Sequence, residues 1–147
     1  MAQFGRPSVD TLRDNWVEDD GTTTDIFDQI DESVADDADY IKTQLSPSSD
    51  VYVTKLTTLE DPISSSGHTV RFRYRKDATG GDALDLLTEL RQGYTNEGSQ
   101  GTLIASQNNT DILGSGWVDG TFTLSGGEAD SISDYTDLYL RFVANKP

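Results

Sequence analysis

The sequence predicts an all-β fold: a single antiparallel β-sandwich, jelly-roll-like, preceded by an extended N-terminal arm. Three observations point there. Short apolar runs recur along the chain with turn residues between them. One run, His68 to Lys76, alternates strictly, with Val70, Phe72 and Tyr74 on one face and Arg71, Arg73 and Arg75 on the other. That is the period of a strand with one face buried. Nowhere does an apolar pattern persist long enough for a helix of ordinary length.

Taken in order, residues 1–13 carry Phe4 and Pro7 but few periodic apolars, and read as the extended arm; the sandwich domain follows over 14–147. Asn15-Trp16-Val17 is expected to be a short strand and residues 25–30, Asp-Ile-Phe-Asp-Gln-Ile, a second. Asp36 to Asp39 reads as a turn before Tyr40 to Lys42. Residues 51–58 are rich in strand formers, and Pro62 with Ser64 to Gly67 marks a loop. After the alternating strand 68–76, Asp77 to Asp82 is a turn, and residues 84–92 place Leu84, Leu86, Thr88 and Leu90 on one face. Gly93 to Gly101 is a longer loop. Further strands are expected at Thr102 to Ser106, around Trp117 to Leu124, and at Asp137 to Ala144; residues 126–132 read as a turn with one helical turn.

Strands 68–76 and 84–92 pair on paper as a hairpin. One register sets Tyr74 against Leu86, Phe72 against Thr88 and Val70 against Leu90, and on the other face Arg75 against Asp85 and Arg71 against Glu89. Core and charges would then be satisfied together.

Composition bounds the function. A chain of 147 residues suits one domain. There is no cysteine, which removes disulfides, thiol catalysis and cysteine-ligated metals. With 11 basic and 26 acidic residues the net charge is −15, so no nucleic-acid partner is expected. The acidity is uneven: residues 1–61 hold 15 acids and 4 bases, residues 62–147 hold 11 and 7. No run approaches 18 apolar residues, and Met1 to Pro7 has no apolar core of a secretory signal, so neither a membrane span nor an export signal is expected.

The residues that could carry chemistry are few. His68 is the single histidine and has no partners placed by sequence for a triad; it reads as a strand-edge residue. Carboxylates are plentiful, yet no pair stands out as glycosidase machinery. Glu18-Asp19-Asp20-Gly21 and Asp36-Asp37-Ala38-Asp39 could offer oxygen ligands to calcium, but neither matches an EF-hand loop, and both suit turns. Gly80-Gly81 and Gly126-Gly127 lack a phosphate-loop pattern. The Arg71, Arg73, Arg75 stripe is either a docking face for an acidic partner or one half of the hairpin ion pairs. Trp16, Tyr94 and Trp117 are either a sugar-stacking platform or core and interface aromatics. With Phe4, Arg6 and Pro7 of the arm they form the candidate partner or subunit interface. No catalytic residue, metal or cofactor is expected, and the chain is read as not an enzyme.

Several segments together carry a resemblance: Gly5-Arg6-Pro7-Ser8, Asp36-Asp37-Ala38-Asp39-Tyr40-Ile41, Asp61-Pro62 with Gly67-His68-Thr69-Val70-Arg71, Glu89-Leu90-Arg91-Gln92-Gly93, Gly101-Thr102-Leu103-Ile104-Ala105-Ser106, and Asp134-Tyr135-Thr136-Asp137-Leu138 through Val143. The chain resembles small virion structural proteins of tailed bacteriophages over nearly its whole length. The resemblance implies a jelly-roll-like subunit made in the host bacterial cytoplasm and placed on the virion. Within that group the head decoration (cement) type is favoured. It would sit on the outer capsid surface, bind the major capsid protein and other virion proteins, and form homo-oligomers, trimers above all. A tail, neck or fibre component and a virion carbohydrate-binding module are the alternatives.

Overall fold

The computed structural model describes residues 2–78 and 80–147; Met1 of the expected arm and Thr79 of the expected 77–82 turn lie outside them. The chain is an all-β sandwich of nine strands among these residues: β1 (Pro7–Arg13), β2 (Val17–Glu18), β3 (Ile41–Lys42), β4 (Asp50–Leu56), β5 (Thr69–Tyr74), β6 (Leu84–Gln92), β7 (Thr102–Ile112), β8 (Val118–Thr123) and β9 (Leu138–Asn145). One sheet runs β1-β4-β9-β6-β7, every neighbour antiparallel. The second layer is a two-stranded ribbon, β5-β8, and β2-β3 is a further small ribbon. No helix is long and apolar enough to cross a membrane among the described residues.

The layers meet through side chains of even-numbered positions. β9, Leu-Tyr-Leu-Arg-Phe-Val-Ala-Asn, lies between β4 and β6 and sends Leu138, Leu140, Phe142 and Ala144 into the core. Tyr52 of β4, with no exposed surface, stacks on Phe142 at 6.4 Å between centroids. Across the gap, Val70 and Leu124 are buried beside Phe72 and Phe122. The Phe72 ring meets Phe142 edge-on at 6.4 Å. Phe72 also lies over Gly120, its partner across the ribbon: a Cβ there would stand 2.4 Å from the ring. The short helix α1 (Gly126–Asp130) closes one end with Ala129, under a capping box in which Ser125 and Glu128 satisfy each other's backbone N–H.

The hairpin expected between 68–76 and 84–92 does not form. β5 pairs with β8, setting Arg71 opposite Thr121 and Arg73 opposite Asp119, and β6 pairs with β7 and β9. The reason is burial of the second face. β6 lies inside the large sheet, and its outward residues include Glu89, 6% exposed. A neighbour bearing three arginines on that face would need all three desolvated. On the separate ribbon Arg71 and Arg75 are exposed and Arg73 reaches Asp37 and Asp119, so the charged face stays near water, where such a strand belongs.

Two further expectations change. Residues 25–30 are not a strand: Ile26–Gln29 form a 3-10 turn, because the Asp10 carboxylate accepts from the N–H groups of Ile26 (2.8 Å) and Phe27 (3.0 Å). This anchor lies 16 residues upstream, outside any local pattern. The segment expected as an arm is extended, but Pro7–Arg13 of it is the edge strand of the large sheet, paired with β4. Upstream, the Gln3 side chain both donates to the Glu60 carbonyl and accepts from the Glu60 N–H.

Candidate functional site

Five strands face two across the core, and the packing between them opens to one side. The result is an open groove of about 1700 Å³ between the sheet, the β5-β8 ribbon and the segment 29–45. Its floor is apolar: Leu56, Leu86, Leu90, Leu138, Leu140 and Phe142 all line it. Apolar side chains also stand at the mouth, with Phe4 64% and Leu45 85% exposed.

Five of the six candidate interface residues gather around this one groove. Phe4, Arg6 and Pro7 line it from the N-terminal segment, Trp16 from before β2, and Trp117 from before β8. Arg6 holds the mouth together, its guanidinium 5.4 Å from the centroid of the Phe4 ring and donating to the Glu32 carbonyl. Trp16 is buried and donates to the Asp50 carbonyl at 3.1 Å, so it serves as wall and core together.

Tyr94 is not part of the groove. It lies on the opposite face of the large sheet, 4% exposed, in a small cluster with Val51, Val53 and Tyr139. Its hydroxyl donates to Glu97 at 2.9 Å, and burial with that bond pushes it up to about 12. The same carboxylate receives Arg141, whose other nitrogen donates to Glu89 at 2.9 Å; Glu89 also takes Arg91 at 2.8 and 3.1 Å. Burial would raise the Glu89 carboxyl, but the two guanidinium groups outweigh it and hold it below the usual range; Arg141 does the same for Glu97. Two acids and two arginines thus compensate each other under the 93–101 loop. The sequence reading assigned Glu89 to Arg71 and missed this network. The available signal was Arg141, a charge in the middle of an otherwise apolar run, which demands a buried counter-charge.

Sugar stacking would need an open aromatic face. Trp16 and Tyr94 are buried, and Trp117 meets Tyr40 edge-on at 5.8 Å while Arg75 lies over it at 4.9 Å and Arg73 at 5.8 Å. The platform of three aromatics is therefore not assembled. His68 bonds Tyr135 through Nε2 at 2.8 Å and its Nδ1 is buried without a partner, so no hydroxyl–imidazole–carboxylate chain runs through it. Among the groove carboxyls, Glu32 is raised, first by burial and then by the nearby Asp31, Asp39 and Asp36, and its Oε1 is buried and unpartnered. Of the acids around it, Asp36 caps the Ala38 N–H and Asp37 is bound bidentately by Arg73, both ordinary structural duties.

The carboxylates of Glu18, Asp19 and Asp20 lie within 4.8 Å of one another. Asp20 accepts from the Thr22 N–H as a turn residue, and Lys42 donates to the Asp19 carbonyl. No family model, no curated protein and no solved structure matches the chain.

Proposed function

We propose that the chain is a non-enzymatic structural subunit of a tailed-bacteriophage particle, of the head decoration type, that docks on the outer surface of the major capsid protein lattice. The observation that carries this reading is the groove: an opening lined by apolar side chains of the inner sheet face, with Phe4, Arg6, Pro7, Trp16 and Trp117 around it. An apolar-lined groove with Phe4 and Leu45 exposed at its mouth and charged residues around it supports a contact with another macromolecule. In this reading the occupant is a segment of the shell protein, which completes the second layer as a missing strand would. Many copies, assembled as trimers, then stabilise the shell through repeated modest contacts. The location would be the outside of the virion.

Electron cryo-microscopy of the particle whose genome encodes the chain tests the proposal directly. The expected result is trimers of the sandwich at regular positions on the head, each groove against the shell. Density confined to tail, neck or fibres would replace the head placement by one of those addresses. Absence from purified particles would remove the virion reading altogether.

A further inference from the structure

The register of β5 has a chemical outcome on the solvent side of the ribbon. Arg73 is satisfied twice, bidentately by Asp37 at 3.0 and 2.9 Å and by Asp119 at 2.7 Å. Arg71 and Arg75 are exposed and have no carboxylate partner among the described residues. Yet Arg75 is not loose. Its guanidinium lies 4.9 Å from the Trp117 centroid and 5.6 Å from that of Tyr40. Stacking on two rings fixes the planar fork and lowers the entropy lost when it binds an anion. A chain of net charge −15 thus presents two unneutralised, partly pre-ordered cations on one ribbon at the rim of the groove.

We infer that the outward face of β5-β8, through Arg71 and Arg75 with Trp117 as support, is the receptor for an acidic polypeptide segment of the docking partner. The inference rests on the docking reading of the groove and names the chemistry of what docks there. Spacing favours an extended chain: side chains two apart on a strand repeat at about 6.8 Å, so Arg71 and Arg75 match acids four residues apart in an extended segment. The aromatic faces favour protein over glycan, because guanidinium groups already occupy them. What complements an acidic segment is local: Arg71 and Arg75 are exposed on one ribbon face, without carboxylate partners among the described residues.

The test is titration of the full-length protein with a synthetic peptide of alternating glutamate and threonine, against the same peptide with glutamine for glutamate, and against polygalacturonate. Saturable binding of the glutamate peptide is expected, weakened by salt. Arg75→Gln and Arg71→Gln should each lower affinity about ten-fold, with melting temperature and circular dichroism unchanged. Trp117→Leu, with Arg75 intact, should weaken binding by a smaller factor. The inference is overturned by equal affinity in the arginine variants, by no binding of the glutamate peptide, or by tighter binding of polygalacturonate. Loss of an oligomer in Arg71→Gln or Arg75→Gln, seen by light scattering, overturns it in favour of a second copy as occupant. Peptide binding is read on the isolated protein and particle location by microscopy, so each proposal fails separately.

Discussion

Glu89 is the residue on which most of the outer sheet face turns. It is 6% exposed and holds two arginines from two strands. Replacing it by glutamine leaves Arg91 with a neutral partner and Arg141 with Glu97 as its one remaining acid in a buried setting, which costs about 3 kcal/mol; urea unfolding near neutral pH measures it. The pH dependence has a definite sign. Glu89 and Glu97 are held below their ordinary value of 4.5 in the folded chain. Their contribution is therefore complete above that value and is lost as pH falls through the lower, folded-state values. Acid unfolding is expected below that point, and Glu89→Gln should show a smaller further loss between neutral and acid pH than the parent. A second residue-scale outcome concerns Gly120. Alanine there sets a Cβ against the Phe72 ring, and either the ring leaves its place on Phe142 or the ribbon shifts. The expected loss is about 1–3 kcal/mol, read as a lowered melting temperature.

At the scale of elements, the 3-10 turn depends on one carboxylate. Asp10 accepts from two backbone N–H groups and from the buried Tyr52 hydroxyl at 2.7 Å. Asp10→Ala orphans all three donors at once. A loss of about 3 kcal/mol follows, with faster hydrogen exchange at Ile26 and Phe27 ahead of the β4 and β9 amides. Elements whose cause is local were legible in advance. β6 spans residues 84–92 as the pattern indicates, and α1 follows from Ser125 and Glu128 three residues apart. The 25–30 segment was misread because its determinant is Asp10, on another strand. β1 was read as an arm because an edge strand with Pro7 and Ser8 lacks strong alternation, and its pairing with β4 is a tertiary fact.

On the scale of the whole molecule, the sheet has one edge made by β1, and the segment before it is held by polar bonds of Gln3 to Glu60 and of Arg6 to Thr57 and Glu32. Removing residues 2–6 should leave a folded sandwich with a wider groove mouth. Removing residues 2–13 takes away β1 and Asp10 together, bares the edge of β4 and should yield an aggregating protein; light scattering and circular dichroism distinguish the two. If the groove is the docking site, the shorter truncation weakens attachment to the particle without loss of fold, because Phe4 and Arg6 line its mouth. The groove itself was not visible in the chain. Its existence depends on how many strands each layer receives, and strand count per layer is decided by pairing partners.

What the sequence by itself determined is the class: an all-β chain of alternating and apolar strands, acidic, without cysteine, with Phe4, Arg6, Pro7, Trp16 and Trp117 as residues in search of a surface. Side-chain period along one strand is a local property, and it survives any arrangement of the strands. Only the tertiary structure decided which strand meets which. That choice depends on burial of both faces of β6 and β9, where Arg141 needs Glu89 and leaves none for Arg71. Of the arginine stripe, Arg73 found new partners in Asp37 and Asp119 while Arg71 and Arg75 have no carboxylate partner among the described residues, because a charge can be neutralised only by the partner that the whole fold brings to it.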